Sequence, residues 1–132
     1  MHQEKTVIGL VEKVKIFGVK GRAIKEAVFD TGATTTSIDL KLAARVGLGP
    51  IVGVKRVKSA SNPHGRLRLV AAAIIQVKEK KLHIKANIVD RSGLRYKVLV
   101  GRDVIHSNFV IDPSKTHTSY RIEDLHEEGD HL

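Results

Sequence analysis

A chain of 132 residues is long enough for one domain with a modest core and too short for two. Hydrophobic residues make up 42% and aromatics only 4%, which argues against wholesale disorder and for a core of Val, Ile, Leu and Ala. The absence of cysteine excludes disulfides, thiolate-bound zinc and a thiol nucleophile. No apolar run approaches the ~20 residues of a membrane helix, and "MHQEKTVIGL" lacks the pattern of a signal peptide. A cytoplasmic protein with no membrane partner is the expectation.

The net charge of +9 is unevenly placed. The last twelve residues, "RIEDLHEEGDHL", carry one Arg and five acids. The other 120 residues hold 22 basic and 9 acidic residues, a surplus of +13. Such a body is either a well-solvated surface or one that attracts an acidic substrate or a nucleic acid.

In chain order, "KTVIGLVEKVKIFG" reads as one or two strands bent at Gly9, "VKGR" as a turn, and Arg22 to Phe29 as a strand. "SIDLKLAARVGL" has helical spacing, with Ser37 or Asp39 as its cap and Gly47 and Gly49-Pro50 as its end. Val52, Val54 and Val57 suggest a strand. "SASNPHG" is a loop by composition, and "RLRLVAAAIIQV" resumes the strand pattern. "KEKK" is a turn, "LHIKANIV" alternates, and "DRSGLR" is a loop. "YKVLVG" is a buried strand, "RDVIHS" about one helical turn, and "NFVID" a last strand stopped by Pro113. The order predicts an all-β fold, a closed barrel with one or two short helices. One domain over residues 1–113 and a polar acidic tail over 114–132 are expected.

The chemistry concentrates where the strand "AVF" runs into Asp30-Thr31-Gly32-Ala33 and then four hydroxyl residues, Thr34 to Ser37. An Asp at a strand end commonly caps the next turn. Chance alone places "DTG" in roughly one chain of this length in forty. The context of strand, acid, glycine and hydroxyl run makes it specific. A glycine here can offer its N–H to a carboxylate. Two adjacent carboxylates share one proton. The charged one can then activate water while the protonated one polarises a carbonyl. The chain has one "DTG", and the other aspartates lack its context. A symmetric homodimer contributing Asp30 twice is the economical solution.

Two ordered blocks, "AVFDTGATTTSI" and "YKVLVGRDVI", resemble the retropepsin-like aspartic peptidases, and the likeness covers roughly residues 5 to 113. The stretch "IVDRSGLRYKVLVGRDVIHSNFVID" is most similar to the branch known as ATP-dependent zinc proteases, some of which are linked to enzymes that add glutamate to proteins. The resemblance implies that Asp30 is the catalytic acid, that Thr31 braces its loop and that Gly32 orients it. Ala33 stands where some relatives have serine. Loss of that hydroxyl implies one less hydrogen bond to the ionised pair and higher apparent pKa values. Lys58 to Arg68 would form a flap whose tip, Ser59, Ala60, Ser61, Asn62, Pro63, His64 and Gly65, covers the substrate together with Ala33. Retroviral flaps are glycine-rich, and Pro63 and His64 depart from that pattern. Val100 and Gly101 would pack behind the active loop, and Arg102 and Asp103 would start a helix and form ion pairs.

A metal or cofactor is not expected. None of the seven histidines forms H-E-x-x-H, and there is no phosphate-binding G-x-x-x-x-G-K-[ST] loop. Two other classes compete with a peptidase on peptide or protein substrates. One is a basic β-barrel binding nucleic acid, which the scarcity of aromatic stacking residues disfavours. The other is a non-catalytic dimer module on the same fold.

Overall fold

The computed structural model describes residues 4–116; the acidic tail from 117 onward lies outside the described residues. Nine strands and two helices follow one another: β1 (Thr6–Ile8), β2 (Val11–Gly18), β3 (Gly21–Phe29), β4 (Ser37–Asp39), α1 (Leu40–Val46), β5 (Ile51–Ser59), β6 (Asn62–Val77), β7 (Lys80–Val89), β8 (Val98–Val100), α2 (Arg102–Asn108) and β9 (Phe109–Ile111). The bend expected at Gly9 separates β1 from β2. It is fixed by the buried Glu12, whose carboxylate accepts the Gly9 N–H at 2.7 Å and faces the Lys78 ammonium at 3.6 Å.

Six strands close on themselves in the order β2-β3-β8-β4-β7-β6, because β6 pairs back onto β2 through Val14↔Val77 to Phe17↔Ile74. This is the expected closed barrel. Alternation places Val14 and Ile16 of β2 and Ala71, Ala73, Ile75 and Val77 of β6 inside it. Phe29 and Phe109 meet edge-to-face, with centroids 6.1 Å apart and planes at 74°. Full burial of such side chains contributes roughly 1.5–3 kcal/mol each. β1 and β9 form a separate parallel ribbon, Thr6↔Phe109 to Ile8↔Ile111.

β6 has 16 residues and does two jobs. Its second half belongs to the barrel. Its first half leaves the barrel with β5 as a long hairpin, paired from Ile51↔Ala71 out to Ser59↔Asn62.

Two local expectations are corrected. Ser37–Asp39 is a strand, not the start of the helix. All three residues are buried between β7 and β8, with Ile38 opposite Ile88 on one side and Val98 on the other. Three residues are too few for periodicity to separate strand from helix. Asp39 keeps its role as cap, accepting the Leu42 N–H at 3.3 Å, and Gly47 closes α1 in the left-handed conformation at φ 71°. The "SASNPHG" loop shrinks to a turn at Ala60-Ser61, and Asn62 to Gly65 are strand. Pro63 is tolerated because this end of β6 has β5 as its one neighbour.

Candidate active site

The loop after β3 is held at both ends by backbone. The Asp30 N–H donates to the Val100 carbonyl at 2.9 Å, and β3 runs parallel to β8 with Phe29 beside Val100. The Ala33 N–H donates to the Asp30 carbonyl at 3.1 Å, which closes the turn. The Asp30 carboxylate accepts the Gly32 N–H at 2.8 Å through Oδ1. Asp30, Thr31 and Gly32 are all exposed. The chain thus presents an exposed carboxylate, held by one backbone donor, where β3 leaves the closed barrel.

Support comes from the segment after β8. The Arg102 and Asp103 N–H groups donate to the carbonyls of Ala33 and Thr34 at 2.8 and 3.2 Å. The Arg102 guanidinium donates to the Thr31 carbonyl at 2.8 Å and to Thr34 Oγ1 at 3.2 Å. The Asp103 carboxylate accepts from the buried Thr36, at 3.2 Å from its N–H and 2.9 Å from its hydroxyl. The ion pairs expected of Arg102 and Asp103 are therefore replaced, among the described residues, by hydrogen bonds to the loop. The loop offers carbonyl and hydroxyl groups at this point, and these are what the two side chains bind. The Gly101 N–H donates to Thr36 Oγ1 at 3.2 Å, and the Gly101 backbone lies directly against the loop backbone.

A cleft of about 460 Å³ opens between this loop and the β5–β6 hairpin. One wall contains Ala33, Thr34 and Thr35, and the hairpin wall contains Lys55, Arg56, Val57, Lys58 and Arg68. Arg91 and Asn87 complete it, the latter donating through Nδ2 to Thr35 Oγ1 at 2.8 Å. Of the residues expected to contact substrate, Ala33 lines the cleft. Ala60 to Gly65 lie at the far end of the hairpin and are not among its walls.

Arg91 escaped the sequence reading. It sits in the loop between β7 and β8, where no periodicity marks it. Burial pushes its guanidinium below the usual arginine range; nearby Asp39 opposes that shift and nearby Arg68 adds to it. Its neighbour Asp90 is held below the ordinary carboxylate range, chiefly by hydrogen bonding from Ser92.

The other described aspartates are engaged elsewhere. Asp39 accepts from Leu42 and Arg91, Asp90 from Ser92, Asp103 from Thr36 and Asp112 from Ser114. No group of three or more potential metal ligands occurs among the described residues. Among them, too, no helix is long and apolar enough to cross a membrane.

An exposed Asp-Thr-Gly loop braced from behind by a Gly-Arg-Asp segment, on a small closed barrel with one long hairpin, defines the retropepsin-like class of fold. The aspartyl protease family model matches residues 13–104, and the chain belongs to that family. Among solved structures, a Legionella pneumophila protein of unknown function is similar at a TM-score of 0.60 and 21% identity, over 87% of this chain and 98% of that one. The EIAV protease in complex with an inhibitor matches at 0.53 and 15% identity, over 80% of this chain and 88% of that one. The foamy viral protease-reverse transcriptase matches at 0.55 and 15% identity, covering 89% of this chain and 14% of that one. These likenesses carry the fold. They do not support the zinc-protease branch suggested by the stretch "IVDRSGLRYKVLVGRDVIHSNFVID". No curated protein matches the sequence.

Proposed function

We propose that the protein is an aspartic endopeptidase in which two copies of the chain each contribute Asp30 to one site. The observation that carries this reading is the setting of Asp30: an exposed carboxylate, oriented by the Gly32 N–H, on a loop that Arg102 braces from behind through the Thr31 and Ala33 carbonyls. A second Asp30 approached across a two-fold axis would supply the partner that proton sharing requires. One carboxylate then takes a proton from water as the other polarises the scissile carbonyl. The attacking water adds to the carbonyl carbon, and the amine leaves with a proton returned from the pair. Thr31 and Gly32 hold the two carboxylates in place. The β5–β6 hairpins cover the bound chain, and no metal or cofactor takes part.

Sedimentation at micromolar concentration is expected to give about twice the 14.5 kDa chain mass. A monomer that still cleaves peptide sinks the shared site.

The cleft's cations favour an acidic peptide. Lys55, Arg56, Lys58, Arg68 and Arg91 line one cleft, and Arg66 flanks it on the hairpin. Their field falls off over ~10 Å at 0.1 M salt. A Glu-rich peptide is therefore expected to be cleaved faster than its Gln-rich counterpart at low salt, with the difference shrinking as salt rises. Equal rates at low salt would remove this electrostatic preference. Nucleic acid is the weaker reading of the same charge. Phe29 and Phe109 pack in the core, and Phe17 is covered by Lys81 at 4.6 Å, so base-stacking surface is scarce.

A further inference from the structure

We propose that Arg91 and Arg68 form a carboxylate-binding subsite on the wall of the cleft between residues 33–35, which follow Asp30, and the β5–β6 hairpin, and that this subsite fixes the position of a peptide by one of its acidic groups. This deepens the peptidase reading and rests on the cleft being a peptide site.

Arg91 is held in place from several sides. Its backbone N–H donates to Asp39 Oδ1 at 2.7 Å, and its Nε donates to the Tyr96 carbonyl at 2.9 Å. The loop that carries it is folded around the Lys97 ammonium, which donates to the carbonyls of Arg91, Ser92 and Leu94 at 3.1, 3.0 and 2.8 Å. Backbone, Nε and loop are thus all fixed around Arg91. The cost of ordering a long side chain is therefore met before any ligand arrives.

Among the described residues the terminal nitrogens of Arg91 have no acceptor, and neither has the Arg68 guanidinium. The carboxylate beside Arg91 is Asp39. Its Oδ2 takes the Leu42 N–H and its Oδ1 the Arg91 N–H, so it is occupied by backbone donors. Two half-buried guanidinium groups thus face the same cleft, and the counter-charge beside Arg91 is already committed. Arginine stays protonated here, and its planar fork matches a carboxylate through two parallel hydrogen bonds. A carboxylate seated between Arg91 and Arg68 would relieve their repulsion. Lys55, Arg56 and Lys58 differ in kind. They are exposed and steer an anion without fixing it.

The carboxylate can come from a Glu or Asp side chain or from a peptide's C-terminus. Equilibrium binding to full-length Asp30→Asn protein, which binds without cutting, separates these sources. Four fluorescein-labelled peptides are compared by anisotropy: Glu or Gln at the variable positions, each with a free or an amidated C-terminus. Adding Arg91→Gln is expected to weaken the carboxylate-bearing peptides about tenfold or more. The amidated Gln peptide should be unaffected, and Arg91→Lys should fall between. A loss confined to Glu peptides assigns the side chain; a loss confined to free C-termini assigns the α-carboxylate. Arg68→Gln leaves the 90–97 loop intact and should reproduce the selective loss even if Arg91→Gln proves unstable to heat. Equal weakening of all four peptides, equal affinity for all four peptides before Arg91 is changed, or no binding of any peptide overturns the subsite. Arg91-dependent binding with no cleavage by the wild-type protein would instead overturn the peptidase reading and leave the subsite standing.

Discussion

Asp30→Asn protein is expected to fold like the wild type and to lose nearly all peptide cleavage. The amide keeps an oxygen in the place of Oδ1, so the 2.8 Å bond from the Gly32 N–H survives. The residue is exposed, and its neighbours touch it through backbone. Stability should therefore change by no more than about 0.5 kcal/mol. On the proposed two-copy site, what disappears is the shared proton. In a homodimer the substitution removes both carboxylates at once, so neither a base for water nor an acid for the carbonyl remains. General acid–base chemistry contributes about 10²–10⁴-fold, and a loss at the upper end of that range is expected. Inhibition by statine-type mimics should be lost with it. The measurement is cleavage of a quenched fluorescent peptide by purified mutant, with thermal unfolding as the control on folding. Undiminished cleavage by the mutant would place the catalytic group elsewhere. EDTA should leave wild-type activity unchanged; its complete loss, with rescue by zinc, would show that a metal does the chemistry.

Gly101→Ala should lower both stability and activity, by a cause that lies behind the site. A Cβ built on Gly101 would sit 2.7 and 2.8 Å from the carbonyl carbon and oxygen of Thr35 and 2.9 Å from the Ala33 carbonyl oxygen. All three are backbone atoms, so no side-chain rotation relieves the clash. Overpacking of this kind costs about 1–3 kcal/mol. That corresponds to a melting temperature roughly 5–15 °C lower in a domain of this size. The backbone that must yield is the same segment that carries Ala33 and the hydroxyl run, so activity should fall beyond what unfolding explains. A displacement of ~1 Å can cost ~10²-fold in rate. Calorimetry and peptide cleavage, both well below the melting point, separate the two effects. A variant with wild-type melting and turnover would show that the loop does not rest on Gly101.

Much of this arrangement is written locally in the chain. The alternation of Val14 and Ile16, and of Ala71, Ala73, Ile75 and Val77, marks barrel strands because one face of each must meet the core. The turn after Gly18 and the end of α1 at Gly47 follow from backbone preferences acting over a few residues. The Asp-Thr-Gly loop was legible for the same reason. The Gly32 N–H reaches the Asp30 carboxylate within two residues of sequence. The rest was decided by contacts distant in sequence. Ser37–Asp39 is a strand because β7 and β8 stand on either side of it, and nothing within three residues encodes such partners. Asn62–Gly65 is strand despite Pro63, because pairing with β5 outweighs loop composition. Arg102 and Asp103 bind loop carbonyls and hydroxyls some 67 to 71 positions away, where the sequence offered only a pair of opposite charges. Arg91 becomes part of the cleft only when its loop folds around Lys97 and the barrel brings Asp39 and the hairpin beside it. Sequence alone determined the alternating barrel strands, the turn after Gly18 and the acid at the strand end, since each depends on neighbours along the chain. Tertiary structure alone decided which cations line the cleft beside the loop that carries that acid, since closing the barrel sets which distant side chains meet.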